Sequence, residues 1–343
     1  MKSGNGALWA AVFLATTTMA AHAAPSAPAY HISKSITLGA PDRWDYVVFD
    51  GVQNRIYVSH GPGVTVVDAK SGTIAGTVTS GGVTHGIATV PALGKGYTDD
   101  SEAGTVSVFD LKTLKVLHQI KAQPDADGIV YDPQSGHVLV IDGDSGKVTV
   151  IDPKSDTVVA TIDGGGGLEF GVLGGDGKFY VDGADKNEIV RKDLASNKAD
   201  AHWPLPGCTT PHGLAIDRAH MRLFASCGGK TMAVIDAKTG QSLASLPIGE
   251  GTDFAEFDPV RGLAFSSNRE GTLSAVTEQS LGKFVVLPPI PTQLGARTMA
   301  LDPKSGRIFL VAADMVENKG KTGRARYTTT PGTVRLLFLD PSP

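Results

Sequence analysis

The sequence predicts an all-β protein: a seven-bladed β-propeller built from four-stranded antiparallel blades. Three observations carry this. One unit recurs along the chain: an apolar strand, a turn, a second apolar strand, a polar loop, then two more strands about an Asp-x-x-x-Gly turn. An Asp closes the first strand of five of the seven units, and its spacing sets the period. Asp50, Asp132 and Asp217 are 82 and 85 residues apart, two units each, while Asp217, Asp258 and Asp302 are 41 and 44 apart. Such a period is the length of one four-stranded propeller blade. Third, the chain is rich in turn formers: glycine is 42 of 343 residues, against a usual level of ~7%.

The elements follow in order. Lys2, the short apolar run Ala7–Ala15 and the small-x-small triplet Ala21-His22-Ala23 form the pattern of a secretory signal peptide. Residues 1–23 are therefore expected to be removed, leaving 24–343 as one domain, periplasmic or secreted. The apolar run is shorter than the ~20 residues a membrane span needs. The strand Tyr30–Leu38 comes next, and then seven units near 45–80, 85–122, 127–164, 169–206, 212–249, 253–289 and 297–340. Segments such as Val148-Thr149-Val150-Ile151 are β-branched, short and bounded by Gly, Pro and Asp, which reads as strand punctuation. The seventh unit offers only three strands, in Met299–Ala312 and Thr333–Asp340. The predicted remedy is that Tyr30–Leu38 joins it as the outermost strand, closing the ring and removing an open edge.

Composition excludes several classes. Thirty-one Lys+Arg against 35 Asp+Glu give a net charge of −4, which makes a nucleic-acid partner unlikely because such binders carry a basic footprint. Two cysteines cannot staple a disulfide-rich mini-fold. In an exported chain, Cys208 before the inner strand of blade five and Cys227 at the end of its second strand are expected to pair. The rival role, a nucleophilic cysteine near His212, leaves the second cysteine without a purpose.

Arg55-Ile56-Tyr57-Val58-Ser59 with Gly63-Val64-Thr65-Val66-Val67-Asp68, and Gly94-Lys95-Gly96-Tyr97-Thr98 with Thr105-Val106-Ser107-Val108-Phe109-Asp110, resemble the YVTN-type repeat of the YncE-like seven-bladed propellers. Pro331-Gly332-Thr333-Val334 before an apolar last strand resembles the same family. The likeness runs from about Tyr30 to Asp340 and implies a fold, not an activity. Blade four departs from it, with Gly174-Gly175-Asp176-Gly177 in place of the Asp-Pro turn.

In a propeller the innermost strands line a central channel, and function collects on loops held by the rigid scaffold. The starts of the seven inner strands carry Asp45, His85, Asp127, Glu169 (with Phe170), His212, Asp253 and Arg297. This polar ring reads as a ligand site at the channel mouth, with Arg297 gripping an anionic group, or as a water-filled rim. His85 and His212 sit in nearly opposite blades, so no shared metal is expected, and no cofactor is called for. The loops between second and third strands add Asp99 and Asp100, Asp142 and Asp144, Asp182 and Asp185, read as turn formers because none has calcium-loop spacing. The segment Asp314–Gly332 carries Lys319, Lys321, Arg324, Arg326 and Tyr327 and is expected to be a structureless loop, acting as a lid or docking arm or simply solvated.

No G-x-S-x-G elbow, Walker loop, H-E-x-x-H or C-x-x-C occurs. The reading is a monomeric binding scaffold for a small molecule or protein on its loop face. The alternative is a lactone-type hydrolase, as some seven-bladed propellers are, with His85 or His212 as general base and Arg297 orienting the substrate. Only Trp44 and Trp203 lie outside the signal segment, too few to resemble the repeated tryptophan motifs of quinoprotein dehydrogenases.

Overall fold

The computed structural model describes Met1 and residues 29–321 and 323–342. The expected signal segment, beyond Met1, lies outside the described residues. Seven antiparallel sheets follow one another in the predicted order. Blade one is Trp44–Asp50, Arg55–His60, Gly63–Asp68 and Ile74–Thr79, and blades two to five repeat the plan. Blade seven pairs Met299–Leu301, Ile308–Ala312, Arg335–Pro341 and, outermost, Tyr30–Thr37. The closing register runs from Tyr30 opposite Pro341 to Thr37 opposite Arg335.

The period-marking aspartates owe their place to turn chemistry. Asp50, Asp132, Asp217, Asp258 and Asp302 each accept the backbone N–H two residues on, at 2.8–3.0 Å. Such side-chain caps satisfy donors that a tight turn leaves without a partner.

The buried apolar side chains fall into seven clusters, one between each neighbouring pair of blades. Between blades one and two, Tyr57, Val66 and Val78 meet Ile87, Phe109 and Leu111. Between blades seven and one, Phe309, Val311 and Phe338 meet Val47, Ile56 and Val58. A four-stranded sheet cannot bury both faces alone, and the ring lets every blade do so. Each fully buried Val, Leu, Ile or Phe contributes about 1.5–3 kcal/mol.

Two elements differ from expectation. The outer edge of blade six is broken into Lys283–Val286 and Ile290–Pro291, both paired with Thr272–Ser280. Pro288 and Pro289 intervene, and proline has no N–H to continue the ladder. The segment expected to be structureless instead holds a hairpin, Met315–Glu317 against Tyr327–Thr329, with a 3-10 turn at Gly323–Arg326. Asn318 ties the turn by donating to the Ala325 carbonyl at 2.9 Å and to Thr328 Oγ1 at 2.8 Å, and Arg326 pairs with Glu317 at 3.1 Å. Among the described residues no helix is long and apolar enough to cross a membrane.

Candidate functional site

Most of the ring residues sit where inner-strand pairing is interrupted. Register shifts between Trp44 and Val47, Ala126 and Ile129, Leu168 and Gly171, Pro211 and Gly213, and Thr252 and Phe254 bracket Asp45, Asp127, Glu169, His212 and Asp253. A bulge frees a residue from the ladder and re-aims its side chain; here five bulges turn five polar side chains to the axis. His85 and Arg297 precede the short strands Ile87–Val90 and Met299–Leu301. Close approach of neighbouring blades needs glycine beside two of these residues. A Cβ on Gly86 would stand 2.1 Å from the Asp127 carbonyl oxygen, and one on Gly213 would stand 2.5 Å from the Ala255 nitrogen.

All seven side chains line one cavity of about 310 Å³, together with Arg43 and Tyr46. Contacts run from blade to blade. His85 lies 3.9 Å from both Asp45 and Asp127, His212 Nδ1 lies 3.4 Å from Glu169, and Arg297 Nε lies 3.5 Å from Asp253. Arg297 also donates to the Trp44 carbonyl at 2.6 Å and lies over the Trp44 ring, and Thr298 donates to the Asp45 carbonyl at 2.7 Å. These last contacts join blade seven to blade one.

Behind His85 stands Asp99, fully buried. One carboxylate oxygen accepts the His85 backbone N–H at 2.9 Å, and the other lies 3.2 Å from Nδ1. Burial disfavours charge on the His85 ring, yet the Asp99 hydrogen bond and the charges of Asp127, Asp99 and Asp45 more than reverse this and raise it to about 9. Burial raises Asp99 to about 6, so both partners are charged between those values. Arg43 Nη2 lies 2.9 Å from His85 Nε2, a contact that suits only a neutral ring because both groups otherwise donate. Burial also raises Asp45 and, further, Asp127; Arg297 lowers the first, and the charge of Asp45 adds to the rise of the second. Among the described residues no group of three or more His, Cys, Asp or Glu side chains is placed to hold a metal ion.

The turn-former reading of the second-to-third strand acids needs correction. Asp100 does cap its own turn, accepting the Ala103 N–H at 3.1 Å, whereas Asp185 accepts the Gly167 N–H of a separate loop at 2.9 Å. Asp99 and Asp182 instead point inward at equivalent strand positions. Asp182 is fully buried, its two oxygens have no hydrogen-bond partner, and burial with the nearby Glu169 charge holds it well above the usual carboxylate range. Strand alternation separates these pairs: in Lys95–Asp100 adjacent residues face opposite sides.

Several residues were not anticipated. Arg43 precedes the strand, outside the repeat comparison. Tyr46 and Phe254 join Phe170, which the sequence had placed beside Glu169, in an aromatic plug under the ring, with centroids 4.7–5.8 Å apart. A neighbouring cavity of about 230 Å³ is lined by three arginines, Arg43, Arg269 and Arg297, against one acid, Asp42, with Trp44 and, from the hairpin, Met315 and Tyr327. The Asp-to-Arg change at the start of blade seven was the one signal in the sequence that this side of the mouth differs. Cys208 and Cys227 form the expected disulfide, with Cα atoms 5.4 Å apart and both residues buried.

No family model matches the chain, and neither does any curated protein. Among solved structures, 1792 chains share its shape, so shape alone does not select a function. One belongs to a "Crystal Structure of Mitotic Checkpoint Complex", with a TM-score of 0.73, 14% identity, and coverage of 98% of this chain and 99% of that one. At that identity the likeness extends to the propeller fold only.

Proposed function

We propose that this chain is an exported binding propeller of the YncE-like kind whose channel mouth holds a small zwitterionic molecule. The observation that carries this is the sharing of Arg43 and Arg297 between two cavities of opposite character. One is lined by Asp45, Asp127, Glu169 and Asp253, and the other by three arginines with Trp44 and Tyr327. A cationic end suits the carboxylates. An anionic end suits the arginines, whose planar forks grip carboxylate or phosphate. The aromatic plug supplies the floor. Residues 24–343 are taken as the mature domain, with 1–23 removed on export to the periplasm or beyond; a buried disulfide fits an oxidising compartment.

The hydrolase alternative has one observation in its favour, the hydrogen bond between His85 and Asp99. Against it, a ring that stays protonated up to about 9 is a poor proton acceptor at neutral pH.

Calorimetry with free amino acids and dipeptides as probes tests the reading. The expected result is saturable binding by at least one probe, weakened tenfold or more by Arg297→Ala and by Asp127→Asn, with melting temperatures close to that of the parent. Absence of binding across the panel, or affinity unchanged from the parent in either variant, refutes it.

A further inference from the structure

Below the aromatic plug, the channel changes character. The inner strands of blades four to seven end around a cavity of about 680 Å³ whose walls include Phe170, Val172, Ile216, Phe257 and Leu301. That volume lies in the range of small-molecule sites, which are mostly apolar with a few placed polar groups. Its polar groups are largely occupied with one another. Asp217 lies 2.6 Å from His220 Nδ1, and Arg218 donates through Nε to the Leu173 carbonyl at 2.8 Å.

The exception is Glu256, in the cavity wall. Its carboxylate accepts a backbone hydrogen bond from Phe257 and feels the charges of Arg218 and Asp258, and burial pushes it up to about 7. Asp258 is committed elsewhere, accepting the Val260 and Arg261 N–H groups and pairing with the Arg261 side chain at 3.0 Å. Glu256 is half-buried in the wall, and a carboxylate so placed, with capacity to accept more hydrogen bonds, gains from a ligand that brings donors and positive charge.

We propose that this funnel, on the face opposite the mouth, is a second binding site, for a small hydrophobic amine whose ammonium group meets Glu256. The aromatic or aliphatic body lies against Val172, Ile216 and Leu301. The rings of Phe257 and Phe170 add attraction for the cation. The site is independent of the mouth, because the plug of Tyr46, Phe170 and Phe254 lies between the two cavities.

Calorimetry with 1-naphthylmethylamine, the uncharged 1-naphthylmethanol and 1-naphthoic acid tests this. The amine is expected to bind at least tenfold more tightly than the alcohol, and the acid not to bind. Glu256→Gln should reduce the amine to the affinity of the alcohol. Ala219→Trp, an exposed change at the funnel rim, should abolish binding of both, with melting curves run in parallel to confirm folding. Failure of the amine to bind, undiminished amine affinity in Glu256→Gln, or binding unchanged by Ala219→Trp would overturn the proposal.

Discussion

Blades two and four place an acid at the same strand position, and the two acids meet opposite surroundings. In blade two, Asp99 faces an imidazole, hydrogen-bonds it and is ionised above about 6. In blade four, Asp182 faces the Glu169 charge, has no hydrogen-bond partner among the described residues, and is shifted well above the usual carboxylate range by burial. Both are fully buried. The difference therefore lies in one residue at the start of each inner strand, His85 or Glu169. A buried carboxyl is tolerated as an ion only where an opposite charge and a hydrogen bond are supplied together.

The largest effect should come from breaking the blade-two pair. Asp99→Asn removes the buried partner of a half-buried imidazolium and is expected to cost about 3 kcal/mol of unfolding free energy. By NMR, the ring should titrate well below the parent's value of about 9; an unmoved titration would mean that Asp127 and Asp45 alone hold the proton. The parent's own pH profile carries the same signature. His85 is raised from 6.5 to about 9, so its contribution is fully present below 6.5 and is lost as pH rises through 9. In Asp99→Asn that loss should shrink, which denaturant melts at pH 6.5 and 9.5 would measure.

Next in size is the relief of blade four. Above its unfolded pKa of 3.8, a carboxyl held protonated in the fold loses stability relative to the unfolded chain as pH rises. Asn has the same shape and does not titrate. Asp182→Asn is expected to be more stable than the parent at pH 7 by about 2 kcal/mol and to gain little at pH 4. A destabilised variant at pH 7 would show that the carboxyl has a partner the contrast overlooks.

The smallest effect sharpens the comparison by rebuilding one blade as the other. Glu169→His should place an imidazole against Asp182 and stabilise by about 1 kcal/mol at neutral pH. The new ring should titrate above 6.5 in NMR spectra; a ring titrating at or below 6.5 would show that the bulge in blade four cannot present it to Asp182.

Much of the architecture was legible because turn chemistry repeats. The Asp that caps the first turn of five of the seven blades gives the period, and the missing strand of the seventh unit calls for Tyr30–Thr37. The pairing of Cys208 with Cys227 follows from both lying at one end of blade five. The starts of the inner strands were legible as equivalent positions for the same reason. The bulges were not, because an extra residue in one strand is defined only against its partner's register. Arg43 escaped because it precedes the first repeat unit, and Tyr46 and Arg269 escaped because nothing in their own units tells that the closed ring brings them to the mouth. The hairpin in 314–332 escaped because Asn318 and the Glu317–Arg326 pair order a stretch whose composition reads as solvated.

Local chemistry, a strand length, a capped turn and a recurring apolar alternation, was enough by itself to specify seven like units and the strand that closes them. Which side chains share the axis, and which buried acid keeps its proton, was decided only when the ring closed. Charge and hydrogen bonding depend on distance through space, and residues as far apart in the chain as Asp45 and Arg297 acquire theirs from the circle rather than from their neighbours in sequence.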